Sequence, residues 1–345
     1  MAAGPAAAAL PQRIAVLRAL PGVGDLLCAV PALRALRAAA PQAHVTLLGL
    51  RGSGWFVRRF AYLVDDLLPV EGVAGLPEVR CDAAAALRFF QRAQCRRFDL
   101  AVQAHGSGRV TNPLLTLLGA SHQVGAHVPD GWVPPGTSIE YPSGEHEIVR
   151  LLRVVAAAGC PPQGVAIDLP VTPTEERAAD ALLEGAGLRP REFVCLHPGG
   201  STAERCWPAE RFAATGTRLA RRGLDILVTG SSNERALARR VADTINRGAT
   251  RSCRARAVDA AGRTNIGTLA ALHRRARLVV TNDTGSSHVA AAVRAPSVVV
   301  IRASDPIRWA PLDTLRHLPV AAPGTTTGPT PAAVDAAVAT QLERW

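Results

Sequence analysis

The chain has 345 residues, 48% of them hydrophobic and 4% aromatic, which is enough material for two α/β domains of ordinary size. It carries 39 basic side chains, all of them arginine, against 28 acidic ones, and its formal net charge is +11. The arginines are dispersed and aromatic residues are scarce, so the composition argues against nucleic-acid binding. The basic excess suits an anionic substrate or membrane surface, and equally a gene that uses arginine in place of lysine.

The first half of the chain alternates between predicted strands and helices. We expect strands at residues 13–18, 44–49 and 98–103, and helices at residues 26–40 and 145–158. Alternation of this kind predicts a parallel, doubly wound sheet.

A proline-rich stretch at residues 159–173 is predicted to be an interdomain linker. Beyond it we expect strands at 193–197, 225–229, 278–281 and 297–301, with helices at 209–222, 234–246, 268–276 and 287–293. Asn233 is a candidate cap for the second of these helices. The fold class is therefore α/β, with two Rossmann-like lobes facing a central cleft, and ligands are expected where strands end.

Targeting signals are weak in this chain. The seven cysteines include no C-x-x-C pair, which argues against a disulfide framework or a zinc site and favours a reducing cytoplasm. The alanine-rich N-terminus lacks a basic region, and no run of 18 apolar residues exists, so we expect neither a signal peptide nor a transmembrane helix. Peripheral contact with the inner face of the cytoplasmic membrane remains compatible with this pattern.

The first candidate site is the turn after the first strand, Gly22-Val23-Gly24-Asp25. Its glycines permit a tight turn and close approach of a substrate. A carboxylate there is able to take a proton from a sugar hydroxyl, although Asp25 is equally well explained as a helix N-cap. The third glycine of a dinucleotide-binding fingerprint is missing, since that position is Leu27.

Two glycine-containing loops open the second half. His197-Pro198-Gly199-Gly200-Ser201, with Arg205 beyond it, offers backbone N–H groups and a cation to phosphates, and it also fits a plain turn. Glu234, after the next predicted strand, is a candidate acceptor for ribose hydroxyls or merely a helix-stabilising carboxylate.

The most informative stretch is residues 278–292, in which a β-branched strand leads through Asp283-Thr284-Gly285 into a helix that carries His288. Free N–H groups and the helix dipole favour an anion at such a place. The sequence therefore predicts a phosphate-bearing ligand, whereas the alternative is a capped helix with His288 in the core.

Taken together, the motifs resemble glycosyltransferase family nine, the heptosyltransferases of lipopolysaccharide assembly. The resemblance covers roughly residues 13–315 and rests on segments that follow one another in the family's order: G-D-x-x-x-x-x-P from Gly24 to Pro31, H-G-S-x-R at 105–109, H-E-x-x-R at 146–150, P-G…R-x-W-P at 198–208, D-T-G-x-x-H-x-A-A at 283–291, and D-P-x-R-W-x-P at 305–311. His105 stands where the family usually has Gln, and Arg205 where it usually has Lys. Residues 301–304 replace the common F-G-P-T.

The resemblance implies a GT-B fold and inverting, metal-independent transfer from a nucleoside-diphosphate sugar, ADP-linked, to a hydroxyl of a glycan or glycolipid, with no cofactor. It implies a flexible N-terminus at 1–12, an acceptor lobe at 13–165, a donor lobe at 166–330, and a C-terminal helix at 331–345 that crosses back to the first lobe. Asp25 would be the general base. The implied donor-binding residues are Gly199, Ser201, Arg205, Glu234, Asp283, Thr284, Gly285 and His288. The acceptor-side candidates are Gly24, His105, Arg109 and His146.

Other functions compatible with this fold stay open at this point. One is a nucleotide-sugar epimerase or hydrolase, against which Asp25 in the acceptor lobe argues. Another is a catalytically silent binding protein, against which the joint retention of Asp25, Asp283 and His288 argues.

Overall fold

The structure is a computed structural model that describes residues 11–133, 135–249, 255–322, 324–325 and 327–345. The predicted flexible N-terminus at 1–12 falls largely on residues 1–10, which lie outside the described residues. The chain divides into two compact units between Ala166 and Ile167.

The first unit alternates strands and helices from its beginning to its end. Its elements in chain order are β1 (Arg13–Leu17), α1 (Val23–Leu27), α2 (Val30–Ala39), β2 (His44–Gly49), α3 (Gly54–Arg59), β3 (Asp66–Pro69), α4 (Ala83–Cys95), β4 (Leu100–Gln103), α5 (Thr111–Thr116), β5 (His122–His127), β6 (Thr137–Glu140) and α6 (Glu147–Ala157). The predicted helix over 26–40 is wrong in one respect, because two helices occupy that stretch. Pro31 lies in the first turn of α2, where its missing N–H breaks no helical bond.

The strands of this unit form one parallel sheet in the order β3-β2-β1-β4-β5-β6. The chain leaves β1 toward β2 on one side and returns to add β4 on the other, so the strand order reverses between β1 and β4. Open α/β sheets bind ligands at the carboxyl ends of strands at such a switch point. The loops after β1 and β4 are therefore where this unit should present its chemistry.

The second unit repeats the same architecture. Its elements are α7 (Pro173–Ala186), β7 (Phe193–His197), α8 (Ala209–Arg221), β8 (Asp225–Val228), α9 (Arg235–Gly248), β9 (Ala257–Asp259), α10 (Ile266–Arg275), β10 (Leu278–Asn282), α11 (Gly285–Ala292), β11 (Ser297–Ile301), α12 (Pro306–Trp309), β12 (His317–Ala321) and α13 (Pro331–Arg344). All strand pairs are parallel in the order β12-β11-β10-β7-β8-β9. The switch point lies between β7 and β10. β10 and its neighbour β11 are buried along both faces, as β-branched runs in parallel sheets usually are.

One predicted detail of the second unit differs from the structure. Asn233 does not cap α9, because Ser231 and Glu234 form a capping box over the 3-10 turn that precedes the helix. The C-terminal helix α13 packs on β11, β12 and α8 of its own unit, and Val334, Val338 and Leu342 belong to that unit's core. α13 thus buries these apolar side chains on the second sheet, and the crossing back to the first lobe stays a prediction. Within the described part of the chain, no helix combines the length and apolar character that crossing a membrane requires.

Candidate functional site

Asp25 lies at the switch point of the first sheet. It is the third residue of α1, whose N-cap position is Gly22, and its side chain is 26% exposed. A Cβ atom on Gly22 would come within 2.1 Å of Asp25 Oδ2, so the carboxylate folds back over the helix start only because residue 22 is glycine. Gly24, a predicted acceptor-side residue, is buried in the same turn.

Arg18, directly after β1, holds this turn in place. Its buried guanidinium donates hydrogen bonds to the carbonyl oxygen of Asp25 from Nε at 3.1 Å and Nη2 at 2.9 Å. Nη1 donates to the carbonyl oxygen of Ala104 at 2.6 Å and to Glu147 Oε1 at 2.7 Å. Burial works to lower the pKa of Arg18, but the charges of Glu147 and Asp25 outweigh it and raise that pKa. The cation therefore ties together the loops after β1 and β4 and the start of α6.

The two polar side chains at the start of α6 have different roles. His146 is the N-cap, and its Nδ1 accepts a hydrogen bond from the backbone N–H of Ile148 at 3.1 Å. Glu147 binds two cations: its second carboxylate oxygen accepts from Arg150 at 2.6 Å, and its first accepts from Arg18. Glu147 is 1% exposed, and a carboxylate buried this deeply needs both cationic partners.

His105 follows β4 and contacts the same turn. Its Nδ1 accepts a hydrogen bond from the backbone N–H of Ala19 at 3.1 Å. Burial, and next the positive charge of Arg18, lower the pKa of His105 to about 4, so its ring is neutral at pH 7. Its Nε2 lies 4.0 Å from Glu78 Oε2. Arg109, four residues further on, is exposed.

The second sheet brings two predicted loops together at its own switch point. Asn282, the last residue of β10, is fully buried. Its amide nitrogen donates to the carbonyl oxygens of Pro198 at 2.9 Å and Gly199 at 3.0 Å, and its Oδ1 accepts from the backbone N–H of Trp207 at 2.9 Å. The Asn282 side chain thus holds the loop after β7, residues 198–201 (here called the glycine loop), close to the start of α11.

Glu234 joins that glycine loop to the loop after β8. One carboxylate oxygen accepts from the N–H of Gly200 at 2.8 Å and the other from the N–H of Ser231 at 2.6 Å. Burial would raise the pKa of Glu234, but these hydrogen bonds and the neighbouring His197 hold it below its usual range. A Cβ atom on Gly199 would lie 2.0 Å from Glu234 Oε1, which explains why this position is glycine. The carboxylate is ionised, and each oxygen keeps acceptor capacity for a ligand hydroxyl.

The start of α11 contains hydroxyl groups without a partner. Thr284 is the N-cap residue, yet it makes no side-chain cap bond. Thr284 Oγ1 and Ser286 Oγ are buried and have no hydrogen-bond partner among the described residues. Gly200 lies beside Thr284, since a Cβ atom on Gly200 would be 3.0 Å from the methyl carbon of Thr284. Two unsatisfied donors at the positive end of a helix are suited to a phosphate group.

The other predicted donor residues differ in how exposed they are. Asp283 and His288 are buried, and the His288 ring meets Trp309 edge-on at 6.3 Å between ring centroids. Ser201 and Arg205 are exposed, Arg205 at the end of a short 3-10 turn. Gly285 is the first residue of α11.

A cavity of about 430 Å³ opens beside the glycine loop. Its lining comes from the loops after β7 and β8, the starts of α8 and α9, and Arg302: Pro198, Gly199, Gly200, Ser201, Thr202, Ala203, Cys206, Trp207, Pro208, Ala209, Glu210, Glu234, Leu237, Arg240 and Arg302. Arg302 Nη1 donates to the carbonyl oxygens of Ala203 at 3.0 Å and Cys206 at 2.9 Å. It thereby anchors the turn that carries Arg205.

The structure brings Asp25 and His105 to one turn of the first unit, and Gly199 and Glu234 to one loop of the second. Within the described part of the chain, it shows no hydrogen bond or ion pair of Arg109 or Arg205 with these residues.

Arg18, Glu78, Asn282 and Arg302 were not expected in a site. One signal was available for two of them: Arg18 and Asn282 are polar residues at the end of a strand, where a parallel sheet presents its ligands. Among the described residues, no group of three His, Cys, Asp or Glu side chains is arranged to hold a metal ion.

Comparison with known proteins agrees with this architecture. Residues 86–320 match the model of glycosyltransferase family 9 (heptosyltransferase). The lipopolysaccharide core heptosyltransferase OpsX of Haemophilus influenzae is 21% identical over 314 residues, which cover 89% of this chain and 84% of that protein.

Solved structures show the same fold. The glycosyltransferase family 9 protein of Veillonella parvula superposes with a TM-score of 0.75 at 19% identity, covering 97% of this chain and 98% of that one. The ADP-heptose lipopolysaccharide heptosyltransferase II of Escherichia coli gives a TM-score of 0.71 at 19% identity, covering 96% and 99%. Both units therefore have the GT-B type of lobe, and the chain belongs to glycosyltransferase family 9, the heptosyltransferases, and is a glycosyltransferase.

Proposed function

We propose that this enzyme transfers a heptose from an ADP-linked donor to a hydroxyl of a lipopolysaccharide core acceptor, with inversion at the anomeric carbon and without a metal ion. The names of its relatives support the substrate classes: OpsX is a lipopolysaccharide core heptosyltransferase, and the Escherichia coli enzyme is named for ADP-heptose. The second unit holds the donor and the first holds the acceptor.

The observation that carries the donor assignment is the pair of partnerless hydroxyls at the start of α11. Thr284 Oγ1 and Ser286 Oγ are buried at the helix N-terminus, and Gly200 lies beside Thr284. A diphosphate would accept hydrogen bonds from both hydroxyls and from backbone N–H groups, and the exposed cation Arg205 is available to its outer oxygens. Glu234 would accept hydrogen bonds from the ribose. We assign Asp283 and His288 to the sugar or the phosphate nearest to it.

The proposed chemistry is a single displacement. The acceptor hydroxyl gives its proton to the Asp25 carboxylate, and its oxygen forms a bond to the anomeric carbon of the donor. The bond from that carbon to the diphosphate breaks, and the nucleoside diphosphate leaves with the electron pair. Attack on the face opposite the leaving group inverts the configuration.

Metal independence follows from how the leaving group would be stabilised. Charge develops on the departing diphosphate, and helix N-termini and arginine side chains stabilise such charge in many enzymes. The start of α11, Arg205 and the cavity cations Arg240 and Arg302 would supply this role. Full activity in the presence of EDTA is the expected result.

We place the acceptor on a glycolipid and the protein at the inner face of the cytoplasmic membrane, as a peripheral protein. The support is the net charge of +11, together with α4, which exposes Leu87 beside Arg88. Sedimentation with anionic but not with neutral vesicles would agree with this contact, and equal behaviour in both would contradict it.

The decisive experiment replaces Asp25 with Asn and measures transfer from ADP-heptose to a heptose-free core oligosaccharide. Loss of the base should lower kcat about 10²- to 10⁴-fold, while calorimetry should show ADP affinity within a few fold of the wild type. The anomeric configuration of the wild-type product, read by NMR, tests inversion. Near-normal turnover of the variant would remove Asp25 from its role, and sugar release without an acceptor would point to hydrolysis instead.

A further inference from the structure

Glu78 is an acidic residue of the first unit with an unsatisfied buried atom. It lines a cavity of about 600 Å³ at the carboxyl ends of β2 and β3, which Arg51, Arg80 and Arg88 also line. Its Oε2 is buried and has no hydrogen-bond partner among the described residues. Leaving a buried carboxylate oxygen without a partner costs stability. We therefore expect Glu78 Oε2 to bind a group that is not part of the protein.

His105 faces that oxygen. His105 is only 8% exposed, and its Nδ1 accepts from the backbone N–H of Ala19. The proton of the neutral ring must therefore be on Nε2, which lies 4.0 Å from Glu78 Oε2. That separation is too long for a hydrogen bond between the two groups.

The separation does fit one oxygen atom bound to both. An oxygen about 2.8 Å from each atom subtends an angle of about 90° between them, within the range of ordinary hydrogen-bond geometry. The oxygen would have to accept a proton from His105 Nε2 and donate one to Glu78 Oε2. A hydroxyl group does both, whereas a phosphate or carboxylate oxygen would be repelled by Glu78.

The place of this pair relates it to the proposed reaction. Arg18 donates to the carbonyl oxygens of both Asp25 and Ala104, and Ala104 directly precedes His105. The loop that positions the general base is thus tied to the loop that positions the hydroxyl-binding pair.

We propose that Glu78 and His105 form a subsite that binds a second hydroxyl of the acceptor sugar and selects acceptors by it. The subsite rests on the proposed function, because it assumes that the first unit holds the acceptor. His105 donates and Glu78 accepts, and the hydroxyl completes the polar contacts that the protein leaves unmade.

The experiment compares Glu78→Ala and Glu78→Gln with the wild type, using ADP-heptose and a heptose-free core oligosaccharide together with its singly deoxygenated analogues. In the wild type, one deoxygenated analogue should have a KM about tenfold higher than the parent oligosaccharide. Glu78→Ala should raise the KM for the parent about tenfold, leave the KM for that analogue unchanged, and leave the KM for ADP-heptose unchanged.

Thermal unfolding without ligands separates this role from a structural one. Because Glu78 Oε2 has no partner to lose, both variants should keep the wild-type Tm or exceed it. Glu71→Gln is the matched control: Glu71 lines the same cavity but is already paired with Arg51 and Arg92, so its loss should leave the discrimination between oligosaccharides intact.

The outcomes are distinct. If the wild type transfers heptose but Glu78→Ala keeps its acceptor KM and its discrimination, the subsite is wrong and the proposed function stands. A lower Tm of the variants with unchanged kinetics would make the pair structural and would overturn the subsite as well. If the wild type transfers to no core oligosaccharide, the proposed function fails and the subsite fails with it.

Discussion

The two switch points of this enzyme differ at the residues next to the proposed base and at those next to the proposed diphosphate. In the first unit, Arg18 and Glu147 are buried and satisfied by protein groups on several sides. In the second unit, Thr284 and Ser286 keep buried hydroxyls without a partner. The same strand order underlies both, so the difference lies in the loops and not in the sheets.

The comparison separates two needs. A general base has to be held in one position before the substrate arrives, and a closed network of ionic hydrogen bonds does this without the substrate. The diphosphate that we propose for the second unit carries its own charge and many acceptor oxygens. Its site therefore needs hydrogen-bond donors that the protein leaves unpaired. Substitutions in the first network should therefore affect the folded protein itself, and substitutions among the unpaired donors should affect the ligated state.

The largest effect on stability is expected from Arg18→Met. This change leaves Glu147 with one cationic partner and leaves the carbonyl oxygens of Asp25 and Ala104 without their donor. Breaking a buried pair from one side costs about 3–5 kcal/mol, and denaturant unfolding with hydrogen exchange in β1 and β4 measures it.

The matched control is Arg153→Met on α6. Arg153 pairs with Glu145, but its side chain is 59% exposed, so the loss should be about 0–1 kcal/mol. Equal losses of unfolding free energy in the two variants would show that the buried network contributes no more than a surface pair. The proposed difference between the switch points would then be wrong.

Much of the fold was readable from the sequence because its strands are short β-branched runs bounded by glycine and proline. The predicted strands at 193–197 and 297–301 agree with β7 and β11 to the residue, since both are central strands buried on both faces. The break between α1 and α2 was missed because the local pattern stays apolar through Cys28 and Ala29. The packing of α13 on its own sheet could not be read from the sequence, because an amphipathic helix does not encode which sheet it covers.

The candidate sites, like the fold, were only partly predictable from the sequence. Strand ends mark where polar residues collect, so the sequence could offer Asp25, Glu234 and Asp283 as candidates one by one. Which side chains meet was not predictable, because Arg18 and Glu147 are 129 positions apart and the contact between them exists only after the sheet has formed. For the same reason Glu78, which no motif contains, was recognised only from its buried, partnerless oxygen.

An intermediate effect on stability is expected from Gly199→Ala. The added methyl group would clash with Glu234 in the second unit. The new Cβ atom would stand 2.0 Å from Glu234 Oε1, so the carboxylate has to give up its bond to the N–H of Gly200. We expect a loss of about 1–3 kcal/mol in stability and weaker ADP binding by calorimetry. Gly185→Ala in α7, where no atom lies within 4 Å of the added Cβ, should instead gain about 0.5–1 kcal/mol.

The smallest effect on the unligated protein is expected from Ser286→Ala, and it is the sharpest test of the comparison. Ser286 Oγ has no partner to lose, so the unligated variant should match the wild type within about 1 kcal/mol or exceed it. Its ADP affinity should fall about five- to tenfold, because a hydrogen bond to a charged phosphate is removed. The stabilisation that saturating ADP gives in thermal unfolding should shrink accordingly.

Ser297→Ala in the same unit should show the reverse. Ser297 Oγ is buried and bound to His317 Nδ1 at 2.9 Å, so its removal leaves a partner behind and should cost about 1–3 kcal/mol without ligand. Its ADP affinity should not change, because β11 begins at Ser297, at the opposite end of the strand from the ligand edge. If Ser286→Ala instead destabilises the unligated protein as Ser297→Ala does, the Ser286 hydroxyl stabilises the folded protein. Thr284 would then be the remaining candidate for an unpaired donor to the phosphate.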